Sequence, residues 1–209
     1  MNTQSSAVVF DLDGTLVDSW RAHVASLRHA VRTVGLPVPD SESFADRQRP
    51  TDLETLSSLV GEDRLSSGFA AYRIAFGRLS GTVRPMPGAH ALVSRLRGSG
   101  VALGVCTGRS RVEAQMLLDS AGLSVPLLTA REDAEPPKPD PCGLLAALRT
   151  LGVDRERAVY VGDGQADSDQ GVRAGVRTYV VGAATLAPRP GVTSVASLRE
   201  LPILRWRGQ

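Results

Sequence analysis

Four aspartates fall in two short segments, Asp11-Leu12-Asp13-Gly14-Thr15 and Gly162-Asp163-Gly164-Gln165-Ala166-Asp167. If Asp11, Asp13, Asp163 and Asp167 converge, they repel one another. A hard divalent cation resolves that repulsion, and Mg²⁺ suits carboxylates together with waters and a phosphate oxygen. Two more segments, Thr107-Gly108-Arg109 and Pro136-Pro137-Lys138-Pro139-Asp140, supply donors. A lysine, a threonine hydroxyl and exposed loop N–H groups suit a phosphoryl group. The chemistry this set could perform is phosphoryl transfer. One carboxylate attacks, another handles the proton, and metal and lysine balance charge.

Each segment alone has an ordinary reading. Asp-Gly pairs are common in turns. A calcium loop starting at Asp11 fails, because its sixth and twelfth positions hold Leu16 and Ala22 instead of Gly and Glu. Gly162-x-Gly164-x-x-Asp167 lacks the third glycine of a dinucleotide fingerprint and follows a late strand. What raises the set above coincidence is where the segments fall.

Five continuous apolar runs, at residues 7–10, 101–106, 126–128, 158–161 and 178–181, read as strands covered on both faces. Helical patterns over 88–97, 111–121 and 141–151 alternate with them. Alternation of this kind predicts an α/β fold, a doubly wound, parallel, five-stranded sheet with a Rossmann-like core. In open parallel sheets, ligands bind beyond the carboxyl ends of strands. The Asp11, Thr107 and Asp163 segments each follow a predicted strand.

One connection is too long for a simple crossover. Residues 18–84 contain no convincing buried strand. Trp20, Val24, Leu27, Val31 and Val34 form one amphipathic face, and Leu53, Leu56, Leu59 and Val60 another. Phe69, Tyr72, Ile74 and Phe76 sit in a third pattern, while residues 36–50 read as loop. The expected organisation is a core of residues 1–17 and 85–209 with a helical cap inserted at 18–84.

Composition sets the outer bounds. In 209 residues, 42% are hydrophobic and 22% charged, which excludes a disordered chain, a collagen-like repeat and a coiled coil. A net charge of +2 gives no indication of a nucleic-acid partner. Two cysteines make no disulfide framework and fit a reduced, cytoplasmic setting, and Cys106 reads as a small buried strand residue. Neither a secretory leader nor a transmembrane run is legible, so no membrane partner is expected. A monomer or homodimer fits equally.

Val8-Val9-Phe10-Asp11-Leu12-Asp13-Gly14-Thr15-Leu16-Val17-Asp18-Ser19 resembles the first motif of the haloacid dehalogenase-like superfamily. Thr107, Lys138 in Pro-Pro-Lys-Pro-Asp-Pro, and Asp163 with Asp167 resemble its second, third and fourth motifs, in order along essentially the whole chain. The likeness is strongest to the phosphoglycolate-phosphatase-like branch with a helical cap. It implies that Asp11 is the nucleophile and that Asp13 protonates the leaving group and then activates water. It implies that Thr107, Lys138 and the Gly108 N–H hold the phosphoryl oxygens. Mg²⁺ would be held by Asp11, the Asp13 backbone carbonyl and Asp163, with Asp167 as a direct ligand or one step behind. An aspartate at position 13 favours a small phosphorylated metabolite as substrate; a phosphomutase or a weakly active binding module is the alternative.

The chain departs from the branch at Gly108 and Gln170, whereas Asp169 lies where relatives often carry an acid facing away from the metal. Gly108 stands where Asn is usual, Gln170 replaces a small residue, and Asp169 has no assigned role. Substrate choice is expected to lie in the cap, where His23, Arg47, Arg49 and Arg73 are candidate readers. Arg47-Gln48-Arg49-Pro50 is the best cluster for a carboxylate or second phosphate, against a solvated basic loop. His23 reads as a surface histidine.

Overall fold

The computed structural model describes residues 6–40, 44, 47, 51–182 and 186–202. At its centre is β1 (Ala7–Phe10), paired in parallel with β4 (Ala102–Cys106) on one side and β6 (Ala158–Gly162) on the other. β5 (Leu127–Thr129) extends the sheet beyond β4. β7 (Arg177–Val181) and β8 (Val192–Val195) extend it beyond β6. The sheet therefore has six parallel strands in the order β5-β4-β1-β6-β7-β8, one more than the sequence indicates. The extra strand, β8, is Val-Thr-Ser-Val on the sheet edge, with its middle residues exposed. It lacks the continuous apolar run that marks a strand covered on both faces.

β1 shows why the other runs were legible. Val8 and Phe10 point into one core with Leu92, Leu96 and Leu117, while Ala7 and Val9 point into another with Leu144 and Leu148. Period-two geometry sends alternate side chains to opposite faces, so both sets must be apolar. Full burial of each large aliphatic or aromatic side chain contributes roughly 1.5–3 kcal/mol. The first core is made by α4 (Ala89–Gly98) and α5 (Arg111–Ser120), and the second by α6 (Cys142–Leu151).

Between the two-residue strands β2 (Val17–Asp18) and β3 (Arg84–Pro85) lie α1 (Trp20–Thr33), α2 (Asp52–Val60) and α3 (Glu62–Leu79). β2 and β3 pair antiparallel, so the chain enters and leaves these helices through adjacent segments. Leu27 and Val31 of α1, Leu56 of α2, and Tyr72 and Phe76 of α3 are buried in one cluster. The Tyr72 and Phe76 rings stack with centroids 5.7 Å apart. Phe44 is helical and fully buried, whereas the sequence read residues 36–50 as loop.

Candidate active site

The ends of β1, β4 and β6 are neighbours, and each holds one functional segment in place. After β1, the Asp11 N–H donates to Val161 O (2.7 Å), and the Gly14 N–H donates to Val17 O (2.9 Å). Gly14 has φ +72°, and a Cβ there would lie 2.0 Å from Asp163 Oδ2. Only glycine permits both this backbone and this approach. After β6, α7 (Gln165–Ala174) begins. Asp167 at its third position accepts the N–H groups of Asp163 and Gly164, each at 3.2 Å. Four donor groups that a helix start leaves unpaired are the reason such a carboxylate is stabilised there.

After β4, the Thr107 N–H donates to Thr129 O (3.0 Å), and Ser110 then caps α5. Ser110 and Glu113 each accept the other's backbone N–H, a reciprocal capping box that sets the direction of the Thr107-Gly108-Arg109 turn. Lys138 arrives from the loop before α6. Gln170, the residue that replaces a small one, donates to Asp140 O (2.8 Å) and ties this loop to α7.

Together these residues line a cavity of about 640 Å³. Asp11, Asp13, Thr107, Gly108, Lys138, Asp163 and Asp167 all line it. Lys138 Nζ donates to Asp11 Oδ1 (2.5 Å) and Asp167 Oδ1 (2.7 Å). Tyr160 donates to the same Asp167 oxygen at 2.7 Å. Asp167 therefore has both oxygens engaged by protein donors. Asp11, Asp163 and Asp167 each present a carboxylate oxygen within 4.8 Å of the others.

The electrostatics follow from burial. Asp11 is pushed well above the usual carboxylate range by desolvation, against the pull of Lys138. Asp163 is pushed up to about 7, by burial first and the Asp167 charge second. Burial would also raise Asp167, but Lys138, Tyr160 and the Gly164 N–H hold it below normal. Burial would lower Lys138, but Asp11 and Asp167 hold it well above its ordinary value. Asp163 is thus a crowded carboxylate beside an oxygen-only donor set, which fits a hard divalent cation.

The helical insert contributes a second layer that the sequence left unread. Arg109 is buried, and its Nε donates to both Asp13 oxygens (3.0 and 3.2 Å) and its Nη2 to Asp13 Oδ1 (2.9 Å). Its Nη1 donates to Asp52 Oδ2 and the Tyr72 hydroxyl, both at 2.7 Å. The guanidinium carbon lies 4.3 Å from the centroid of the Phe76 ring. Burial pushes the Asp13 carboxyl up, but Arg109 and the Ser19 hydroxyl pull it net below its ordinary value. Asp52 is the first residue of α2, fixed by the Thr51–Glu54 capping box.

His23 is 5% exposed, not the surface histidine expected. Its Nδ1 is 2.9 Å from the Tyr72 hydroxyl and 3.5 Å from Asp52 Oδ1. Arg47 is exposed, donates to Ser58 O (3.2 Å) and does not line the cavity. Arg73 is also exposed and outside the lining, while Arg49 lies outside the described residues. The only signal for Arg109 was its place between Thr107 and a Ser-x-x-Glu cap. Tyr72 was legible only as part of a helix face. Asp169 turns away from the site, bonding Gln165 (2.9 Å) and Arg189.

Comparison with known proteins places these features in context. Residues 8–181 match the sequence pattern described as haloacid dehalogenase-like hydrolase. The tyrosine-protein kinase PtkA of Mycobacterium tuberculosis is 33% identical over 178 residues. That match covers 84% of this chain and 61% of PtkA, so the chain spans about three fifths of that relative's length. A phosphoglycolate phosphatase of Rhodospirillum rubrum is 30% identical, with 84% of this chain and 78% of that protein covered. Among solved structures, CbbY from Rhodobacter sphaeroides in complex with phosphate superimposes with a TM-score of 0.84. It covers 95% of this chain and 96% of its own at 22% identity, a likeness of fold.

Proposed function

The chain belongs to the haloacid dehalogenase-like hydrolases, and from that premise we propose that it is a Mg²⁺-dependent phosphatase hydrolysing a small phosphorylated metabolite. The observation that carries the reading is the meeting of Asp11, Lys138, Asp163 and Asp167 at adjacent strand ends, with an Asp13 carboxylate beside them. We take residues 18–84 as the cap and the rest as the catalytic core.

Asp11 is the nucleophile. One of its carboxylate oxygens attacks phosphorus and the bond to the leaving oxygen breaks, giving an aspartyl-phosphate. Asp13, once protonated, gives its proton to the departing alkoxide. In the second half Asp13 takes a proton from water, the water oxygen attacks phosphorus, and phosphate and free Asp11 are released. Lys138, the Thr107 hydroxyl and the Gly108 N–H hold the phosphoryl oxygens. Asp11, Asp163 and the Asp13 carbonyl would hold Mg²⁺, which would supply charge neutralisation for the phosphoryl group. Because Asp167 already satisfies four donors, its part is to hold Lys138 and the Asp163 loop.

Among the described residues Asp13 Oδ2 accepts only from Arg109 Nε, which leaves it a lone pair to carry the proton with the Arg109 pair in place. The test is phosphate release across a panel of phosphorylated metabolites with and without Mg²⁺, alongside a search for isomerised product. Phosphate release supports the hydrolase. Isomer without phosphate assigns a phosphomutase, and neither product points to a binding module.

A further inference from the structure

The cavity has two halves with different charge. The inner half, around Asp11 and Lys138, is where the phosphoryl group goes under the function proposed above, on which this inference rests. The outer half is formed by Ser19, Trp20, His23, Asp52, Thr55 and Arg109, and under the same reading it is the space left for the leaving group.

Across the whole lining, five aspartates face one arginine and one lysine. Lys138 belongs to the inner half, so Arg109 is the one permanent cation that lines the outer half among the described residues. Most of its donors are already committed to the protein. Four of its five N–H groups can be assigned to Asp13, Asp52 and Tyr72, and Phe76 covers its face. Two carboxylates share that single positive charge. His23 adds none: burial and the nearby Arg109 push its pKa down, against Asp52 and Asp13. Trp20, 39% exposed, offers an uncharged ring with its centroid 5.9 Å from that of His23.

We propose that this outer half selects leaving groups without negative charge, namely neutral hydroxylated or cationic alcohols, with Asp52 as the group that repels anions and accepts from hydroxyl or ammonium donors. An anionic leaving group would have to displace Asp13 or Asp52 from Arg109 and strand a carboxylate in a partly buried site. A hydroxyl or ammonium instead finds an acceptor already oriented by the α2 capping box. On this account, the site discriminates against diphosphates and against carboxylated substrates such as the phosphoglycolate in the name of the Rhodospirillum rubrum relative.

The experiment compares kcat/KM for four substrates: glycerol 3-phosphate and phosphoethanolamine on one side, 2-phosphoglycolate and pyrophosphate on the other. The first pair is expected to exceed the second by about tenfold or more, the scale of one nearby unit charge in a partly screened site. Asp52→Asn keeps the shape of the side chain and removes its charge, and should narrow that ratio by about tenfold. Because the readout is a ratio within one preparation, partial unfolding does not mimic it. Faster turnover of the anionic pair by the unaltered protein overturns the proposal, as does a ratio unmoved by Asp52→Asn. An anionic preference that vanishes in Arg49→Ala also overturns it, and locates the reader in the 47–50 segment. Turnover of none of the four, nor of p-nitrophenyl phosphate, overturns the phosphatase reading itself and this inference with it.

Discussion

Arg109 holds Asp13 across both carboxylate oxygens while the same guanidinium reaches Asp52 on the helical insert, so one buried side chain joins the loop after β1 to the insert. A buried charge pair of this kind is costly to break from one side only. Arg109→Ala should therefore destabilise the protein by about 3 kcal/mol, at the lower end for such pairs because Asp13 keeps 30% exposure. Adding Asp52→Asn should recover part of the loss, since one stranded charge disappears. Chemical denaturation of the single and double variants measures both, and additive losses would contradict the shared-pair account.

Asp13→Ala should slow turnover by roughly 10²–10⁴-fold, the usual contribution of a general acid–base group. Mg²⁺ affinity should barely change, because the Asp13 carboxylate is held by Arg109 and Ser19, whereas Asp11 and Asp163 supply the carboxylates proposed to hold the ion. Calorimetry of Mg²⁺ binding to the variant separates the two effects. A parallel collapse of affinity and rate would reassign the side chain as a ligand.

Removal of metal with EDTA should abolish phosphate release, and Mg²⁺ should restore it. Asp163→Asn should weaken Mg²⁺ binding strongly while leaving Lys138 on Asp11 and Asp167 undisturbed. Full activity in a chelated sample would contradict the assignment of Asp163.

The two cysteines should behave differently. Cys106 is buried, and its thiol is pushed up to about 12, chiefly by desolvation. At pH 8 its thiolate fraction is then on the order of one in 10⁴, and the thiolate is the reactive form. A raised pKa keeps the proton on until high pH, so the native protein should react with a thiol reagent at Cys142 alone, with Cys106 joining after denaturation. Equal native labelling of both residues would show that the strand beside Thr107 opens readily.

The convergence of Asp11, Thr107 and Asp163 on one cavity was legible in the sequence because each follows a strand. A continuous run such as Ala7–Phe10 declares a strand buried on both faces, and the residue after it is then fixed in space. The outer half was hidden because its contacts are long-range. Nothing local distinguishes Arg109 from a solvated loop arginine until α3 brings Tyr72 and Phe76 against it. His23 was misread for the same reason, since its burial depends on Tyr72 and Asp52, distant in the chain. β8 was missed because an edge strand with an exposed face needs no apolar run, and α7 because its first turn is held by Asp167 with few large apolar residues.

The central claim is that Asp11 attacks phosphorus, and one substitution tests it most directly. Asp11→Asn keeps the size and much of the hydrogen bonding of the side chain while removing the nucleophile. Circular dichroism and thermal denaturation should show a folded protein. Mg²⁺-dependent phosphate release should fall by several orders of magnitude on every substrate, because the loss lies in the covalent step shared by all. Retention of more than a few per cent of the unaltered protein's rate, in a preparation free of contaminating phosphatase, would contradict the account.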